Sequence, residues 1–312
     1  MIITLTGNLL AERTFEFASW QPGGTQRATA ESFQVGGKGI NVSKMLANLG
    51  APTLAVCFAG GETGDECLRW LKARGLPHHA FHTGAPTRSG TVVRAPDRAE
   101  TTFLGVDVEP GEAAFAKCAA WLDAQPPSPS LAICGSFPGL LEPAGALLRE
   151  AIVRRVAHGS VFVDTYGPPL AWLVNEPVAL VKINRNEFDQ LCASVKNPEL
   201  ARALSPSNPM PDRLVAACRN WPVRAWVITD GPGPVWHAGT PTDGSAPAPV
   251  SHQPPAIREV SATGSGDVLF AVLLHNLKNR HFSLADAVAN AIPYASANAS
   301  TSTLAEINEK QD

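Results

Sequence analysis

Read for polarity alone, the chain alternates between two rhythms. Short apolar runs at Thr53–Ala59, Ser130–Cys134, Ser160–Asp164, Ala179–Ile183 and Ala225–Thr229 end on polar or turn-forming residues. Runs of this kind mark strands buried on both faces of a parallel sheet. Between them, Ile40–Leu49, Glu66–Arg74, Glu112–Ala124, Ala144–Val156, Glu187–Ala193 and Pro211–Asn220 carry apolar residues at helical spacing. Two more apolar helices follow, Asp267–Leu277 and Leu284–Ala299. This alternation predicts βαβ units and a covered, mostly parallel sheet. Ligands of such sheets collect beyond the carboxyl ends of the strands. The polar turns Asp164-Thr165, Asn184-Arg185 and Thr229-Asp230-Gly231 fall at that edge.

Two regions break the rhythm. Arg13–Phe33 alternates in part around Gln21-Pro22-Gly23-Gly24, and Arg88–Val106 reads as a hairpin, Gly90–Ala95 and Glu100–Leu104, around Pro96-Asp97-Arg98. Together they predict a small β lid, with segments at about 12–35 and 88–106, inserted into one domain spanning 1–312. The Pro/Ser-rich stretches 125–130, 205–211 and 240–255 read as loops, because sheet pattern resumes after each.

Composition narrows the partners. The chain has 312 residues, 45% hydrophobic and 17% charged, so it can bury a sizeable core. Net charge is -3 and no run of Lys or Arg exists, which argues against nucleic acid or an anionic membrane surface as partner. Any bound anion is therefore expected to be small and held by a few placed groups. Six cysteines lie scattered without CxxC spacing and read as small buried hydrophobes in a reducing compartment. The first residues, Met1–Thr6, show no basic n-region or cleavage pattern, and no apolar stretch approaches the roughly 18 residues of a membrane span. A soluble, cytoplasmic protein is expected. His78 and His79 read as loop residues, none of the eight histidines has metal-ligand or triad spacing, and the tryptophans within predicted elements read as packing.

Three short constellations carry candidate chemistry. In Gly36-Gly37-Lys38-Gly39-Ile40-Asn41, glycines let a ligand approach the backbone and the following helix offers free N–H groups; a plain strand-to-helix turn is the alternative. In Thr263-Gly264-Ser265-Gly266-Asp267, small residues before a helix form an anion hole. Asp267 there is either a base that takes a proton from a hydroxyl or an ordinary helix cap. In Lys182-Ile183-Asn184-Arg185-Asn186-Glu187, the oxygens of Asn184 and Glu187 suit Mg²⁺, or form a capping box.

In this order, the motifs resemble those of the PfkB (ribokinase-like) carbohydrate kinases over essentially the full length, most of all the sugar-phosphate kinase branch. Thr4–Thr14 follows T-V-T-L-N-P-A-L-D-R-T, and Gly36–Asn41 matches G-G-K-G-I-N. Gly135-Ser136-Phe137-Pro138 matches G-S-L-P, and Lys182–Glu187 matches K-P-N-x-x-E. Thr229-Asp230-Gly231 matches the nucleotide-loop T-L-G, and Gly264–Asp267 matches G-A-G-D. The resemblance implies a ribokinase-like doubly wound α/β fold with a lid, acting on a sugar phosphate with ATP and Mg²⁺. It implies Asp267 as the base, with Gly264, Ser265 and Gly266 as the anion hole. Lys182, Asn184, Glu187, Thr229 and Gly231 would hold the nucleotide, with Mg²⁺ reached through water by Asn184 and Glu187. Glu12, Gly37, Lys38, Asn41 and Ser136 would line the sugar site. Arg27 and Arg88 would grip the substrate's phosphate, each charged hydrogen bond contributing ~1.5–3 kcal/mol. Family lids often pair between subunits, which implies a homodimer through the lid.

The departures bear on the substrate rather than the reaction. Glu12 stands where the family has Asp, Leu9 and Ile183 replace prolines, Ala262 replaces a short polar residue, and Val272 replaces a small glycine. The rivals are a kinase of a neutral sugar or nucleoside, a catalytically idle sugar sensor, and a dinucleotide oxidoreductase. The last lacks GxGxxG with an acidic residue about twenty positions on.

Overall fold

The structure, a computed structural model, describes residues 1–96, 98–158, 161–241, 243 and 245–301. Its strands are β1 (Ile2–Thr6), β2 (Leu10–Glu16), β3 (Ala30–Gly36), β4 (Thr53–Ala59), β5 (His78–His82), β6 (Arg88–Ala95), β7 (Arg98–Leu104), β8 (Ser130–Cys134), β9 (Val161–Asp164), β10 (Leu180–Asn184), β11 (Ala225–Thr229), β12 (Val235–Gly239) and β13 (Val250–His252). The helices are α1 (Lys38–Asn48), α2 (Gly61–Ala73), α3 (Glu112–Ala124), α4 (Ala146–Ala157), α5 (Gly167–Leu173), α6 (Arg185–Ala193), α7 (Pro198–Ala203), α8 (Met210–Asn220), α9 (Ser265–Lys278) and α10 (Leu284–Ala299).

Nine strands form one sheet in the order β13-β12-β11-β10-β9-β8-β1-β4-β5. Pairing is parallel from β5 to β11 and antiparallel at β12 and β13. Alternate residues of each strand feed opposite faces. Ile3, Leu5, Leu131, Ile133, Val163, Val181 and Ile228 join one core with side chains of α3, α4, α6 and α8. Ile2, Ala132, Phe162, Leu180 and Val227 join the other with α1, α9 and α10. The sheet is thus wound on both faces, as the alternating pattern predicts. The second sheet, β3-β2-β6-β7, is the lid. It pairs β2 with β6 in parallel and β3 and β7 antiparallel at its edges.

Four sequence expectations change. Residues Ile2–Thr6, read in the sequence as a terminus and, from Thr4 on, as the start of a family motif but not as a strand, form an interior strand between β4 and β8. His78 and His79 lie in edge strand β5 rather than a loop. An edge strand needs little apolar pattern, and here His79 stacks on Trp121 with ring centroids 5.0 Å apart. The stretch 240–255 includes the short strand β13, which is largely exposed and so carries no hydrophobic signature. The loop stretches 125–130 and 205–211 run into β8 and α8 at their ends. Ser160 and Asp97, expected in a strand start and a hairpin tip, lie outside the described residues.

Helix α1 packs close to the sheet through Gly39, whose missing Cβ leaves room for Thr6 Oγ1 and sits 3.4 Å from Cys134 Cβ. A methyl there would overlap the threonine. Gly39→Ala is therefore expected to destabilise the fold by about 1–3 kcal/mol in urea unfolding. A Thr6→Ala background should recover part of the loss, since the two positions share the contact.

Candidate active site

The carboxyl ends of β9 and β10 and the amino ends of α1 and α9 meet at one place. The β9–β10 register pairs Leu180 with Phe162, so Lys182 and Asp164, two residues on, point to the same face. That face is the one α9 covers. Asp164 is fully buried. Its Oδ2 accepts from Lys182 Nζ at 2.8 Å and its Oδ1 from Lys38 Nζ at 2.8 Å. Lys38 Nζ also donates to Glu187 Oε1 at 3.1 Å. Burial alone would push the Asp164 carboxyl up, but Lys182 and Lys38 together pull it below its ordinary range. Burial works against the charge on Lys38, and Asp164, Glu187 and Asp267 override it, holding the ammonium above its usual range.

Asp267 lies in the first turn of α9, also buried, and its Oδ2 accepts from Asn41 Nδ2 at 2.8 Å. The capping alternative fails on geometry. The N-cap is Gly264, left-handed at φ 75, and no side chain caps the helix. Burial first, then the neighbouring charge of Asp164, push the Asp267 carboxyl up to about 6, against the pull of Lys38, Asn41 and Lys182. A Cβ on Gly266 would come within 2.9 Å of Lys182 Nζ, so glycine here lets the ammonium stand against the turn. Ser265 Oγ accepts from Asn298 Nδ2 at 3.1 Å, which fixes the turn to α10.

Asn184 and Glu187 form the reciprocal capping box of α6. Asn184 Oδ1 accepts from the Glu187 N–H and Glu187 Oε2 from the Asn184 N–H, both at 2.9 Å. Thr229 is Asn184's register partner on β11, and Gly231 follows at φ 54, beside the Arg185–Asp230 ion pair at 2.8 Å. Lys38, Asn41, Lys182, Glu187, Gly266 and Asp267 are thus brought together, with Gly37, Gly264 and Ser265 in the adjoining turns. Glu12, on lid strand β2, is buried and accepts from Gln34 at 2.5 Å, with Oε2 3.5 Å from the Cβ position of Gly36. Burial raises its carboxyl. Arg88 and Ser136 meet around Asn8 at the lid's base. Arg27 is exposed on the β2–β3 connection.

Sequence reasoning missed Asp164 as the hub, although its place after an apolar run at the ligand edge was a signal. It also missed Glu100 on β7. Glu100 Oε1 accepts from Thr263 Oγ1 at 2.9 Å and Ser261 Oγ at 3.3 Å, while Arg94 Nε donates to Oε2 at 2.6 Å. The lid is thereby tied directly to the segment that opens α9.

The profile of the pfkB family carbohydrate kinases matches residues 8–311, and the chain belongs to that family. A 1-phosphofructokinase of Borreliella burgdorferi is 31% identical over 192 residues, 61% of each chain. A 1-phosphofructokinase of Xanthomonas campestris is 31% identical over 199 residues, 60% of each. The match thus spans about three fifths of these relatives' length. Among solved structures, phosphofructokinase-2 from Escherichia coli in complex with fructose-6-phosphate superposes with a TM-score of 0.78. It is 21% identical, with 96% of this chain and 93% of that chain covered. A ribokinase from Thermotoga maritima gives 0.69 at 14% identity, covering 97% and 94%. The fold is the ribokinase-like one. No helix among the described residues is long and apolar enough to cross a membrane.

The raised carboxyl has a stability consequence. Between the ordinary aspartate value of 3.8 and about 6, the native state holds the Asp267 proton that the unfolded chain releases. Stability contributed by this group therefore falls as pH rises through that window. Asp267→Asn is expected to gain on the parent by about 2–3 kcal/mol at pH 7 and by little near pH 4, read by urea unfolding at both.

Proposed function

We propose that the protein transfers the γ-phosphoryl group of ATP to a hydroxyl of a sugar phosphate of the fructose 1-phosphate, fructose 6-phosphate or tagatose 6-phosphate type. The observation that carries this reading is Asp267. Its carboxylate is oriented by Asn41, raised to about 6 and set in the first turn of a helix with no side-chain cap. A carboxylate so placed can take the proton of a sugar hydroxyl as that oxygen attacks the γ-phosphorus. The new O–P bond forms as the bond to the β–γ bridging oxygen breaks, and the electron pair leaves with ADP. The N–H groups of the Gly264–Asp267 turn and the Lys38 and Lys182 ammoniums face the charge that spreads over the transferred group.

The residues fit the co-reactants. An uncapped helix start with small residues suits a phosphate chain. Among the described residues, no three His, Cys, Asp or Glu converge as a metal cage. Both Glu187 oxygens already accept hydrogen bonds, so Asn184 and Glu187 would hold Mg²⁺ through water, as this ion favours. Bound there, Mg²⁺ would neutralise charge on the phosphates. Thr229 and Gly231, at the edge beside Asn184, are the candidate nucleotide rim. Closing the lid over the sugar would keep water from competing for the phosphoryl group. The homodimer through the lid belongs to the same proposal, supported by Phe103 and Leu104, which leave apolar surface exposed on β7. A cytoplasmic setting suits a chain whose six cysteines are buried free thiols.

Asp267→Asn is expected to lower kcat by ~10²–10⁴ while ATP affinity stays within a few-fold. Because the deprotonated form is the base, parent kcat/KM, which reports the free enzyme, should rise with pH through about 6 and then level. An Asn variant with parental turnover, measured by ADP release over a panel of hexoses, ketohexose phosphates and nucleosides, would remove the base from this account.

A further inference from the structure

At the base of the lid, two donors converge on one oxygen. Arg88 Nη1, at the start of β6, donates to Asp107 Oδ1 at 2.7 Å. Asn8 Nδ2, on the β1–β2 connection, donates to the same oxygen at 2.7 Å and to Ser136 Oγ at 3.0 Å. Asn8 is only 5% exposed, and the Arg88 side chain 11%. Arg88 Nε is buried with no hydrogen-bond partner. The donors are therefore built into the fold, and one of them is still unsatisfied. The acceptor is different in kind. Asp107 sits on the connection between β7 and α3, with 57% of its side chain exposed.

The geometry points to Asp107 as a specificity-determining residue whose carboxylate occupies the anion subsite formed by Arg88 and Asn8, so that a phosphate carried by the substrate must displace it. This deepens the sugar-phosphate reading above and rests on it. The cavity lined by Asn8, Thr87 and Arg88 measures about 10 Å³, room for about one water. That space does not hold a phosphate, and the donors Arg88 Nη1 and Asn8 Nδ2 are themselves taken by Asp107 Oδ1. The exchange favours phosphate, which brings about −1.5 to −2 charge and three acceptor oxygens against a single carboxylate oxygen. It also lowers apparent affinity by the fraction of time the grip is free. A grip free about one tenth of the time weakens binding about tenfold. A neutral sugar makes no such exchange and leaves Asp107 on Arg88.

The test compares the parent protein with Asp107→Asn, which keeps the oxygen but removes the charge, and Asp107→Ala, which removes both. KM is measured for fructose 6-phosphate, fructose 1-phosphate and fructose at saturating ATP, and inorganic phosphate binding is measured by calorimetry. Both variants should lower KM for the sugar phosphates and the Kd of inorganic phosphate by roughly three- to tenfold, with KM for fructose unmoved and the change falling on KM rather than kcat. Unchanged or weaker phosphate binding in both variants overturns the inference. Arg88→Ala separates it from the reading beneath. If that variant binds inorganic phosphate more weakly yet fructose is the faster substrate of the parent, the sugar-phosphate reading fails. The displacement of Asp107 is then still decided by the phosphate titration.

Discussion

The buried carboxylate of Asp164, held between two lysines, is the constraint on which the rest of the site depends. A lone carboxylate in a protein interior is too costly to remain charged. Two ammoniums at 2.8 Å make the charge tenable and in return fix where Lys182 and Lys38 stand. Lys182 comes from the interior of β10 and Lys38 from the first turn of α1, so one ion cluster pins a strand to a helix across the ligand edge. The same negative charge acts on Asp267, adding to burial in holding its proton near neutrality. One group thus helps hold Lys38 charged and the neighbouring base poised.

Two contacts of the lid differ in character. Glu100 binds Thr263 and Ser261 and so reaches the segment that opens α9. Asp107 instead occupies Arg88 at the lid's base. Glu100 on β7 and Arg88 on β6 are thus both engaged with groups outside the lid strands. That disposition suits a surface that trades internal partners for those of a ligand as it closes.

Much of this was legible in the sequence, and the reasons are specific. Thr53–Ala59, Ser130–Cys134 and Ala225–Thr229 are buried on both faces, so their apolar runs stand out and their bounds agree with the structure. β5 and β13 are edge strands whose partners lie on one side only, and their sequences carry no such run. The turns Gly36–Asn41 and Gly264–Asp267 were readable because positive φ and close packing restrict those positions to glycine. Asp164 was harder to weigh. Its role depends on Lys38, 126 residues away, and on a strand register that no local pattern encodes. Asp107 and Asn8, 99 residues apart, pose the same difficulty. Arg27, matched by motif alone, is exposed on the β2–β3 connection.

The most direct measurement is the pH dependence of kcat/KM in Asp164→Asn. Neutralising Asp164 removes the charge that helps raise Asp267 and leaves Lys38 and Lys182 free to pull it down. The acid limb of the profile should then move below the parent's value of about 6, while the plateau falls as the two lysines lose their anchor. A folded variant whose limb and plateau both coincide with the parent's would contradict the account.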